Sequence, residues 1–151
     1  MDAVAPSCVK DVNVTRTGES GEVVARWEGN WKATVRAGPF SFVVDEPESV
    51  GGGFQGPMPT EYFLGSLASC YSLALAWVAR RRGIELPDLE VAAVGQYDGP
   101  RYRGLRLTVR SSLPEQDLQS LVDQASRVCY VSNTLNHPPE IDISTSGAPS
   151  E

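Results

Sequence analysis

Cys70 and Cys129 are the side chains of this sequence best placed to do chemistry. Cys70 stands in the middle of 60–82, T-E-Y-F-L-G-S-L-A-S-C-Y-S-L-A-L-A-W-V-A-R-R-R, and Cys129 closes P-E-Q-D-L-Q-S-L-V-D-Q-A-S-R-V-C. Both segments are apolar and carry helical spacing. The thiolate is the nucleophile, and an unperturbed cysteine is only a few per cent ionised at neutral pH, so a reactive thiol needs help. The helix-face neighbours of Cys70 are Phe63, Ser66, Leu67, Leu73, Ala74 and Trp77, mostly apolar, and burial among them raises a thiol pKa. The dipole of its own helix gives no remedy: Cys70 lies ten residues past Thr60, about 15 Å along the axis, and the dipole acts only in the first turn. Activation must therefore come from a cation or a hydrogen-bond donor on another segment. Arg26, Lys32 and Arg36 are the candidates, and Lys32, Thr34 and Arg36 share one face of a strand.

Cys129 lies eleven residues after Leu118, almost the same helical direction, so it belongs to the apolar face of its segment. Both cysteines then point toward one core. A bond between them requires Cα atoms within about 7 Å. Redox chemistry by the pair, nucleophilic chemistry by Cys70 alone, and two small hydrophobes packed in a core all stay open at this point. Cys8 reads as an incidental thiol in a flexible terminus. His137, the only histidine, precedes Pro138-Pro139 and reads as a loop residue, with a Cys–His nucleophile pair as the alternative. A metal site on Cys129 and His137 lacks further ligands at suitable spacing. Gly51-Gly52-Gly53 lacks the strand–GxxxxGK[ST]–helix context of a phosphate loop and reads as a flexible entry to the long helix. Asp45-Glu46, just before Pro47, reads as solvated loop charge.

The elements that position the thiols follow from periodicity. Residues 12–17, 22–27, 31–36 and 39–44 read as β-branched and aromatic strands, with turn signals at Gly18–Gly21, Glu28-Gly29-Asn30 and Ala37-Gly38-Pro39. A loop leads into the long helix, which ends on Arg80–Arg82 with Gly83 just beyond. Strands over 89–97 and 102–110 follow, joined by Asp98-Gly99-Pro100. Ser112 and Glu115 resemble a capping box opening the second helix. A short last strand is predicted over 140–144. The order strands, helix, strands, helix, strand predicts an α+β domain with helices packed on antiparallel sheet.

The 151 residues predict one domain, over 11–144, between a flexible amino terminus at 1–10 and a flexible carboxy-terminal tail at 145–151. A net charge of −6 argues against nucleic acid as the main partner, because phosphate binding needs clustered Lys and Arg. The first residues carry no basic and apolar leader pattern, which predicts a cytoplasmic protein. In that compartment disulfides are transient or catalytic. Tyr62–Ala79 holds eighteen residues without a charge, the minimum length of a membrane span. Its Gly65, Ser66, Ser69 and Ser72 and its two tyrosines make it only moderately apolar, so a core helix rather than a membrane segment is expected.

The stretch G-P-M-P-T-E-Y-F-L-G-S-L-A-S-C at 56–70 resembles the cysteine-helix signature of the OsmC/Ohr family, osmotically induced protein C and organic hydroperoxide resistance protein. Its proline stands eleven residues before the first cysteine, as Pro59 stands before Cys70. D-E-P-x-x-x-G-G at 45–52, R-V-C-Y-V-S-N-T-L at 127–135 and W-E-G-N-W-K at 27–32 resemble further family segments, spread over nearly the whole chain. The resemblance implies an intertwined α+β homodimer with two active sites at the subunit interface. It implies a thiol peroxidase in which Cys70 attacks a hydroperoxide and Cys129 resolves the sulfenate as a disulfide. An external dithiol, a lipoylated protein in some relatives, would restore the thiols, with no metal or other cofactor. An apolar pocket lined by Phe63 and Trp77 would favour organic hydroperoxides.

Two supporting positions depart from the family pattern. The residue after the motif proline, a glutamate in the best-characterised branches, is Thr60 here, and Glu61 follows. On a continuous helix Glu61 points about 180° away from Cys70, whereas Thr60 is closer to the cysteine face. Alignment through W-E-G-N-W-K puts Ala33, beside Lys32, where the family has its activating arginine. The chain thus resembles the less-studied P-x-E branch. A small-ligand-binding protein on the same fold and a transferase or hydrolase using Cys70 alone are the rival functions.

Overall fold

The computed structural model describes residues 21–147, and the strand expected over 12–17 and Cys8 lie outside them. The chain divides into two compact units at the Met58/Pro59 boundary.

In the first unit, β1 (Val23–Gly29), β2 (Lys32–Ala37) and β3 (Phe40–Val44) form an antiparallel meander. Trp27 pairs with Ala33 and Arg26 with Thr34, and a bulge falls between Trp27 and Gly29. The indole N–H of Trp27 donates to the Asn30 carbonyl at 2.9 Å across the turn. The loop after β3 winds around Asp45. This carboxylate is not solvated loop charge: it is 1% exposed. Its oxygens accept the main-chain N–H groups of Glu46 (2.8 Å), Gly53 (3.2 Å) and Gln55 (3.2 Å). The tripeptide of glycines is part of the same arrangement. A Cβ on Gly52 would lie 1.8 Å from the Glu46 carbonyl oxygen, so only glycine lets the loop close on itself there.

The second unit is built on α1 (Pro59–Arg81), the hairpin β4 (Glu90–Asp98) and β5 (Arg101–Arg110), and the helices α2 (Glu115–Val128) and α3 (Tyr130–Asn136). Proline opens α1 at a position whose N–H has no helical partner. The helix stops in a Schellman motif: Gly83, at φ 65°, donates its N–H to the Arg80 carbonyl, and Ile84 donates to that of Ala79 at 2.9 Å. Tyr71, Ala74, Leu75, Val78 and Ala79 of α1 pack with Leu121 and Ala125 of α2 and with Cys129 to form the core. The Tyr71 hydroxyl reaches into α2, 3.1 Å from the Val122 carbonyl and 2.7 Å from Ser126 Oγ. By length and composition α1 is apolar enough to cross a membrane, yet six of its residues are buried in this unit.

Two expectations are corrected in the second unit. Ser112 does not cap α2. Its hydroxyl lies 2.7 Å from Asp88 Oδ2, and Pro114 takes the N-cap position without a side-chain bond. Residues 140–144 form no strand within the chain. Their alternation puts Ile141 and Ile143 both at the surface, 85% and 84% exposed. A strand needs a neighbour for its amides, and the described residues give this segment none.

Candidate active site

The sulfurs of Cys70 and Cys129 lie 3.5 Å apart, both as free thiols. The separation exceeds an S–S bond of about 2.05 Å, so the two sulfurs are in contact without a bond. Cys70 is partly exposed, while Cys129 is fully buried. Cys129 does not sit inside a helix. Its backbone is extended, at φ −75° and ψ 112°, and it joins the end of α2 to the start of α3. Polar side chains hold this break by bonding the main chain. Asn133 Nδ2 donates to the Arg127 carbonyl at 3.2 Å, and Ser132 Oγ donates to that of Cys129 at 3.3 Å.

The break has a chemical consequence. It exposes the first amides of α3, and the main-chain N–H groups of Val131 and Tyr130 reach the Cys70 sulfur. These are the donors on another segment that activation requires, and they come from the main chain rather than from a side chain. They do not win outright. Burial pushes the Cys70 thiol up, the Cys129 sulfur adds to that, and the two amides only offset part of the rise.

Thr60 and Glu61 belong to a different cluster. The Tyr97 hydroxyl donates to Thr60 Oγ1 at 2.9 Å, and the Tyr102 hydroxyl donates to that of Tyr97 at 3.2 Å. The Tyr102 ring stacks on Phe63 with centroids 6.0 Å apart. The Tyr97 bond chiefly raises the Tyr102 pKa, followed by burial, and the Glu61 charge adds a smaller push. This aromatic and hydroxyl cluster, absent from the sequence reading, had a legible signal in Tyr97 and Tyr102 flanking the Asp98-Gly99-Pro100 turn.

The candidate cations lie in the first unit. Lys32 pairs with Glu28 at 3.2 Å and also lowers the pKa of Asp45 through its charge. Arg26 stands opposite Thr34, and Arg36 opposite Val24 and Ser41. His137 Nδ1 sits 3.2 Å from the Asn133 carbonyl at the end of α3, in keeping with a loop-boundary residue. Among the described residues no group of three or more His, Cys, Asp or Glu side chains is placed to hold a metal ion.

The fold has parallels among solved structures. An OsmC-like protein from Mycoplasma pneumoniae superposes with a TM-score of 0.67 at 21% identity, over 81% of this chain and 91% of that one. An organic hydroperoxide resistance protein OsmC from Legionella pneumophila gives 0.59 at 22%, over 80% and 91%. An organic hydroperoxide resistance protein from Elizabethkingia anophelis gives 0.60 at 22%, over 82% and 93%. These likenesses show the fold. The sequence profile of the OsmC-like protein family matches residues 51–144, and the chain belongs to that family. The uncharacterized protein YmaD of Bacillus subtilis (strain 168) is 33% identical over 73 residues, 47% of this chain. The match spans about half the length of that relative, 49%.

Proposed function

We propose that the protein is a thiol-dependent hydroperoxide reductase acting on organic hydroperoxides in oxidative-stress defence. The observation that carries this reading is the 3.5 Å contact between a partly exposed and a fully buried thiol. Cys70, the accessible one, attacks the distal oxygen of the hydroperoxide as thiolate. The O–O bond breaks, the alkoxide takes a proton and leaves as alcohol, and Cys70 becomes a sulfenic acid. The Cys129 thiol then attacks the sulfenic sulfur, water leaves, and a Cys70–Cys129 disulfide forms. A dithiol, free or carried on a lipoyl group, reduces that disulfide, and no resident cofactor or metal takes part.

The Tyr130 and Val131 amides supply two of the donors that a thiolate at Cys70 needs. Arg26, Lys32 and Arg36 are the proposed sources of a cation in the assembled protein. Assembly as a homodimer is supported by α1, where Gly65, Ser69, Leu73 and Ala76 leave an exposed, uncharged strip with Leu73 70% exposed. This strip is the face we propose for contact with a second copy. We place the dimer in the cytoplasm, with neither nucleic acid nor membrane as a partner.

The raised Cys70 pKa favours a second reading, a small-ligand-binding protein whose thiols only pack. Stopped-flow oxidation by cumene hydroperoxide separates the two. The wild type consumes the peroxide and Cys70→Ser does not. Equal consumption by the two proteins overturns the reductase.

A further inference from the structure

We propose that the groove between the carboxy-terminal ends of α1 and α2 binds a small anionic ligand, a carboxylate or phosphate carried on a flat apolar body. The groove measures about 510 Å³ and is lined by Trp77, Val78, Arg81, Arg82, Gln124, Arg127 and Val128. It is an open depression rather than an enclosed cavity, and it is larger than a lone inorganic anion needs.

Its polar lining is cationic in a chain of net charge −6. Arg81 lies over Trp77 with its Cζ 4.9 Å from the ring centroid, which fixes its guanidinium at the wall. Arg82 is held from the other helix, its Nη1 donating to Ser120 Oγ at 2.9 Å. Arg127 comes from the last turn of α2. The ion pairs among the described residues use Lys32, Arg101 and Arg110, so none of the three groove arginines is matched by a carboxylate.

Basic residues are ordinary at helix ends, where they offset the dipole. That accounts for only part of the charge here. Two helix carboxy termini contribute about half a negative charge each, against three guanidinium groups. Counting also Asp123, one turn before Arg127 on α2, about one positive charge remains in excess, which fits a carboxylate or phosphate that arginine engages with paired donors. Trp77, Val78 and Val128 give the apolar body its surface, and Gln124 adds a neutral polar group. The site goes beyond the reductase reading: no step of the thiol chemistry uses its arginines, although Trp77, expected with Phe63 beside a hydroperoxide pocket, lines this groove.

Isothermal titration calorimetry on the full-length reduced protein tests the proposal, with 2-naphthoate, 2-naphthyl phosphate and neutral 2-naphthalenemethanol as probes. Saturable binding of at least one anion is expected, about tenfold or more tighter than the neutral probe. Arg127→Gln and Arg81→Gln should each weaken it by about tenfold, with circular dichroism unchanged. The tighter of the two anions tells carboxylate from phosphate. Three results overturn the proposal: no saturable binding of either anion, equal binding of the neutral probe, or unchanged affinity in both arginine variants. Binding of an oligoglutamate peptide without binding of either naphthyl anion also overturns it, since the arginines then serve a macromolecular partner.

Discussion

Asp45 is buried and Cys70 partly buried, and both meet main-chain amides, yet Asp45 is held ionised and Cys70 is held neutral. At Asp45, burial favours the neutral acid, but three amides at 2.8 to 3.2 Å and the charge of Lys32 outweigh it. At Cys70, burial again opposes ionisation, and only the Val131 and Tyr130 amides work against it while the Cys129 sulfur reinforces it. The same balance of desolvation against donors decides both groups. The loop around Asp45 is built to hold a charge at rest. The site around Cys70 keeps a neutral thiol beside its partner and leaves thiolate as a minority species.

The largest break in this comparison is Gly52→Ala. A methyl group meets the Glu46 carbonyl at 1.8 Å, so the loop opens and the Gly53 and Gln55 amides leave the carboxylate. A loss of about 3 kcal/mol is expected, read from urea unfolding.

Asp45→Asn changes the acid response. The Asp45 pKa is lowered on folding from its ordinary value of 3.8, so its stabilising contribution is complete above that value. The contribution fades as pH falls through the lower folded-state value. Wild-type melting temperature should therefore decline over that acid range, and the asparagine variant should lack this part of the decline. Identical acid profiles for the two proteins would contradict the cradle.

A smaller shift is expected at the thiol. In Cys129→Ala one of the influences raising Cys70 is gone, so the pH profile of Cys70 alkylation should move to lower pH. In wild type that rate should climb about tenfold per pH unit through neutrality, because only thiolate reacts. An unmoved profile in the variant would remove Cys129 from the account of Cys70 acidity. The least effect belongs to Thr60→Val, which removes the acceptor of the Tyr97 hydroxyl. About 0.5 kcal/mol of stability should be lost, with the Cys70 profile unchanged.

What the sequence made legible were features written in local chemistry. Pro59 and Gly83 mark the ends of α1 because one lacks an N–H and the other tolerates a positive φ. The convergence of Cys70 and Cys129 was readable because each falls on an apolar face. The features that escaped depend on partners distant in the chain. A carboxylate before Glu-Pro looks solvated until the loop at 53–55 turns back over it. The end of α2 at Val128 rests on Ser132 and Asn133 bonding backward to the main chain, which helical periodicity does not register. A periodic pattern that runs unbroken to Cys129 hides the break, and with it the two backbone amides that meet Cys70.

The central claim is that Cys70 and Cys129 work as a pair. Adding one equivalent of cumene hydroperoxide to the fully reduced protein and mapping its thiols by peptide mass spectrometry tests this directly. The account predicts a single cross-linked peptide joining Cys70 to Cys129, with Cys8 still free. Both thiols recovered unoxidised, or Cys70 oxidised without a bond to Cys129, would contradict it.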